Sequence, residues 1–148
     1  MSSGREIVAA AERGDLQAVR AMVSVDEIAD AWWRYMLRVG TSAPEGWGFD
    51  PDDWASELWH EGAILRDEEF ACDLLRALAE RAPSGADMGY LGAGPIEDFA
   101  TNEGRLRWVE AEAARSRNFR AALANIYYPR PSLSEEQNAR LRRAAEVD

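Results

Sequence analysis

Glu57-x-x-His60-Glu61 is the segment whose residue types and spacing come nearest to metal chemistry. Residues three and four apart share a helix face, and a carboxylate beside an imidazole suits iron, manganese or zinc. Di-iron bundles use a Glu-x-x-His unit from each of two helices, whereas His60 is the only histidine here. The single cysteine, Cys72, rules out a CxxC zinc or redox site and an internal disulfide. No metal and no cofactor is therefore expected. All 17 basic residues are arginine, which excludes a Schiff-base or Walker lysine. There is no Gly-x-Ser-x-Gly elbow, and a Ser/His or Cys/His pair would have to use His60. No catalytic residue is assigned, and carboxylate acid/base chemistry stays open because it depends on burial.

The densest chemical feature is a run of acids, Asp50, Asp52, Asp53, Glu57 and Glu61, followed by Asp67, Glu68 and Glu69. Asp53, Glu57 and Glu61 fall at i, i+4 and i+8 on one helical stripe. Like charges at that spacing cost a few tenths of a kcal/mol each. Attraction to the helix dipole accounts for Asp52 and Asp53 but not for Glu57 or Glu61. Trp54 shares this neighbourhood, and aromatics flanked by acids suit the recognition of basic side chains. Asp53, Trp54, Glu57 and Glu61 are the candidate docking residues for a basic protein partner. Trp32 and Trp33 are adjacent, about 100° apart on a helix, so one of them is expected near the surface.

Gly92-x-Gly94-Pro95 precedes a helical pattern and invites a phosphate-loop reading, since a helix N-terminus offers free N–H groups to an anion. Glu97 and Asp98 already place negative charge on that turn, and proline removes a donor. A tight turn with a helix cap is the plainer expectation. A small-ligand pocket formed by His60 with Gly92 and Gly94 is kept as the alternative.

Helices must position these residues. Arg5 to Arg13 and Asp15 to Val23 form a helical hairpin broken at Gly14-Asp15. Ser24-x-x-Glu27 is a capping box for a long helix carrying Ile28, Ala31, Trp32, Tyr35 and Met36 at helical spacing. Residues 40–50 read as a loop, with Trp47 and Phe49 pinning it to the core and Asp50 capping a helix opened by Pro51. Phe70, Ala71, Leu74, Ala77 and Leu78 mark the next helix, with Cys72 as a small core residue. Pro95 opens a short helix, and Asn102 and Ser116 cap two more, the second with Phe119, Leu123, Ile126 and Tyr127 on one stripe. A charged helix after Ser132-Leu133-Ser134-Glu135 is expected to protrude or fray. No alternating strand pattern occurs. The expectation is all-α: a single compact domain, 1–148, of about eight or nine helices, with hairpin 1–24, core 25–128 and charged helix 129–148.

The hairpin Ala9-Ala10-Ala11-Glu12-Arg13-Gly14-Asp15-Leu16 resembles one helix-turn-helix of an ankyrin repeat, without the further copies an array needs. Leu91-Gly92-Ala93-Gly94-Pro95-Ile96-Glu97-Asp98, with the helix 103–112 and Asn118-Phe119-Arg120-x-x-Leu123, resembles the bacterial domain-of-unknown-function family numbered 6869, over about residues 53–128. Phe99-Ala100 departs from the leucines expected there. That resemblance implies a helical fold and no transferable activity.

The 148 residues carry 17 basic and 27 acidic side chains, a net charge of −10. Nucleic acid and anionic membranes both call for a basic footprint, so neither is an expected partner. Nor does any apolar run approach the ~20 residues of a membrane span, and residues 1–15 lack a signal-peptide core. One free cysteine suits a reducing, cytoplasmic setting. The function expected is a small acidic binding protein that neutralises or regulates a basic protein partner, as bacterial immunity and antitoxin-type proteins do. A helical enzyme or small-ligand protein with a pocket near Glu57, His60 and the Gly92–Pro95 loop is the alternative. The oligomeric state is not legible.

Overall fold

Side-chain caps and left-handed glycines punctuate the chain into helices, and every element among the described residues is helical. The computed structural model describes residues 2–41, 51–60 and 62–146. The chain divides into two compact units, Met1–Pro83 and Ser84–Asp148.

In the first unit, α1 (Gly4–Glu12) starts at a Ser3/Glu6 capping box. The chain reverses through Gly14, whose φ of 74° favours a residue without Cβ. Asp15 then accepts from the Ala18 N–H at 3.0 Å to open α2 (Leu16–Met22). α3 (Val25–Thr41) begins where Ser24 Oγ accepts from the Glu27 N–H. α4 (Asp53–His60), α5 (Ala63–Arg66) and α6 (Glu68–Glu80, capped by Asp67) complete the unit. α3 packs on both α4 and α6, and α1 packs on α2 and α4.

That double packing corrects the expectation for the paired tryptophans. With partners on two sides, α3 buries a stripe wider than one seam, and Trp32 and Trp33 are both buried, at 4% and 1% exposure. Their rings meet edge to face at 4.9 Å. At the C-terminal end of α6, the Arg81 guanidinium grips both oxygens of Asp30 on α3 at 2.8 Å.

In the second unit, α7 (residues 89–99) is continuous: Gly89–Leu91, a π-helical turn Gly92–Ile96, then Glu97–Phe99. Pro95 therefore lies inside a helix rather than opening one. The Glu97 N–H reaches back to the Gly92 carbonyl, an i→i−5 bond, and this wider winding accommodates the donor that proline lacks. α8 (Glu103–Arg115) and α9 (Arg117–Leu123) follow, capped by Asn102 and Ser116. α9 packs on α7 and α8. Trp108 bridges Phe99 and Phe119 edge to face at 5.5 and 5.7 Å, over a core with Leu91, Ile96, Leu106 and Leu123.

α9 ends at Leu123, so Ile126 is buried while Tyr127, expected on the same stripe, is 79% exposed. The last helix, α10 (Glu135–Ala144), neither protrudes nor frays. Leu133 and Leu141 are buried, and Arg140 ties it to α8 through Glu103 and Glu110. The charges that suggested a solvated helix are the ones that dock it. With α5 not foreseen, ten helical segments are present among the described residues.

Candidate functional site

α1 and α4 enclose a groove of about 580 Å³ in the first unit. α1 contributes Gly4, Arg5, Val8, Ala9 and Glu12, and α4 contributes Asp53, Trp54 and Glu57, with Ser3 and Pro51 completing the described lining. Gly4 lets the two helices approach at this point: a Cβ there would lie 2.5 Å from Trp54 Cγ and 2.6 Å from Cδ1. Contact with the start of α1 thus fixes one side of the half-buried indole. The N-terminus of α1 is no anion site, because the Ser3 N–H is already taken by the Glu6 carboxylate at 2.8 Å.

Among the described residues, the groove is lined by the carboxylates of Glu12, Asp53 and Glu57 and the guanidinium of Arg5. Among the described residues, none of the four is held in an ion pair. Elsewhere in this unit, several aspartates are matched with arginine: Asp73 with Arg20, and Asp26 and Asp30 with Arg81. Asp52, counted with the acid run in sequence, is one of these matched acids and not part of the exposed stripe. It precedes α4, is buried, and accepts from Arg34 at 3.0 and 3.2 Å and from Arg38 at 2.6 Å, both on α3. Burial pushes the Asp52 carboxyl up, but the hydrogen bonds from Arg34 and Arg38 outweigh it and hold its pKa below the ordinary value.

Of the docking residues expected from sequence, Asp53, Trp54 and Glu57 come together at this groove. Glu61, Asp50, Trp47 and Phe49 lie outside the described residues. The sequence reading missed Gly4, Arg5 and Glu12, because nothing in the spacing of α1 says that it will lie on α4.

His60 ends α4, exposed, and is not among the residues lining the groove. Among the described residues no group of three His, Cys, Asp or Glu side chains is placed to hold a metal ion. Cys72 is half-buried. Gly92 and Gly94 belong to the second unit, within the π turn. Gly92 is buried against the Ala122 backbone, whose carbonyl carbon a Cβ would meet at 2.8 Å, with the oxygen nearer still. Gly94 has open space where a Cβ would point. The role visible for Gly92 is close packing of α7 on α9.

No family model matches the chain, and no curated protein or solved structure matches it either. The motif Leu91–Asp98 folds as part of the π-bearing helix α7. No helix among the described residues is long and apolar enough to cross a membrane.

Proposed function

We propose that the protein is a small acidic binding module that docks on a basic protein partner through the α1/α4 groove and so neutralises or regulates it. A single observation carries this reading: among the described residues, Asp53, Glu57 and Glu12 line a groove beside a half-buried tryptophan and are held in no ion pair, while Asp26, Asp30, Asp52 and Asp73 of the same unit are matched with arginine. Unpaired like charge is retained at a cost to the isolated fold, and it attracts an oppositely charged surface over a distance of about one Debye length, ~8 Å at physiological salt. The net charge of −10 works in the same direction. Such a module fits a reducing, cytoplasmic setting, in keeping with its single unbridged cysteine.

The experiment is a comparative capture. Wild-type protein and a double variant, Asp53→Arg with Glu57→Arg, are immobilised and exposed to lysate of the native host at low and high salt. Basic proteins retained by the wild type, lost from the variant and released by salt are the expected result. Retention of the same proteins by both forms overturns the reading.

A further inference from the structure

The first unit already contains a device for capturing arginine. On α6, Phe70 and Asp73 are three residues apart and share a helix face. The Arg20 guanidinium of α2 lies over the Phe70 ring, 4.4 Å from its centroid, while its Nη2 donates to Asp73 at 3.2 Å. Aromatic face and carboxylate thus hold one guanidinium together.

The same unit recurs on α4. Trp54 and Glu57 are also three residues apart, aromatic first and acid second, and Asp53 adds a second carboxylate beside them. Here both members line the groove, and among the described residues neither is engaged by a guanidinium of the chain. Val8, Ala9 and Pro51 supply apolar wall for a methylene stem.

We infer that the α1/α4 groove is an arginine anchor: a guanidinium from an extended basic segment of the partner stacks on Trp54 and donates to Glu57 and Asp53, as Arg20 does with Phe70 and Asp73. This rests on the docking function proposed above and adds the identity of the anchoring side chain. Arginine is selected over lysine because its planar, weakly hydrated fork stacks on an indole and meets two carboxylates at once, whereas an ammonium is a compact, strongly hydrated point charge.

Calorimetric titration with nona-arginine and nona-lysine peptides at low salt tests it. The wild type is expected to bind nona-arginine about three- to fivefold more tightly than nona-lysine. Trp54→Leu should remove that preference, with circular dichroism confirming the fold. Glu57→Gln, at an exposed position without packing duties, should weaken both peptides. Equal affinity for the two peptides in the wild type, or a preference that survives Trp54→Leu, overturns the arginine anchor. Equal, salt-sensitive binding of both would leave the acidic docking reading standing; binding of neither would overturn both.

Discussion

Trp33 of α3 caps α6: its indole N–H donates to the Leu78 carbonyl at 2.8 Å in a buried setting. Leu78 is among the last four residues of α6, whose carbonyls run out of intrahelical donors. A side chain from another helix therefore completes the helix end, and the same ring fills the core between them. Trp33→Phe keeps most of the apolar surface but leaves that carbonyl buried without its donor. A loss of about 1–3 kcal/mol is expected, read as a lower urea midpoint at unchanged slope.

Gly92 sets the distance between α7 and α9. A methyl group there would run into the Ala122 backbone, which cannot swing aside as a side chain would. Gly92→Ala is expected to cost at least the ~1–3 kcal/mol of ordinary overpacking. Gly94→Ala, two residues along the same π turn but facing open space, should leave the melting temperature nearly unchanged. Paired thermal melts of the two variants check the contrast.

Acid should loosen the tie between α8 and α10. Hydrogen bonds from Arg140 first, and then Gln137, hold the Glu103 carboxyl down to about 2, against an ordinary 4.5. A depressed folded pKa contributes stability that is complete above the unfolded value and is lost as pH falls toward the folded one. The Glu103 contribution is thus present above about pH 4.5 and disappears between there and about pH 2. Melting temperatures across that window should fall more steeply for the wild type than for Arg140→Gln, because the variant has already lost the main partner.

Tyr128 carries the opposite signature at alkaline pH. Burial pushes its hydroxyl up to about 12, against an ordinary 10. The unfolded chain releases that proton first, so stability falls as pH rises from about 10 to about 12. The hydroxyl is buried and, among the described residues, has no hydrogen-bond partner, while Arg142 lies over the ring at 4.7 Å. Tyr128→Phe should therefore be neutral or slightly stabilising at pH 7 and should delay alkaline unfolding. Tyrosinate absorbance and ellipticity, followed together, test both parts.

At the groove, the kinetic effects should separate by chemistry. Charge reversal at Asp53 and Glu57 is expected to slow association with a basic partner on the order of tenfold and to flatten its salt dependence. Trp54→Ala should mainly speed dissociation, since an aromatic anchor acts after encounter. Arg5→Ala, which removes the cation that lines the groove among the described residues, should quicken association. Surface plasmon resonance with a captured partner resolves the three; equal changes in both rates for every variant would contradict the assignment.

The all-helical class was legible because its determinants are local. Ser3, Asp15, Ser24, Asp67, Asn102 and Ser116 cap helices by accepting from the N–H three positions along, and Gly14 reverses the chain by its own φ. The clustering of Asp53, Trp54 and Glu57 followed likewise from helical periodicity.

Partnership between distant segments was decided only by tertiary packing. Trp32 is buried beside Trp33 because α3 has neighbours on two faces, a fact no 100° rotation between adjacent residues contains. α10 reads as a solvated, charged helix until Glu103 and Glu110 appear opposite Arg140. Pro95 reads as a helix start until a π turn absorbs its missing donor. Asp52 and Asp53 are neighbours in sequence, yet one is sealed under Arg34 and Arg38 and the other lines the groove. The charge pattern of a sequence sets how many acids there are, while burial and the arrival of an arginine from another helix set which of them remain available to a partner.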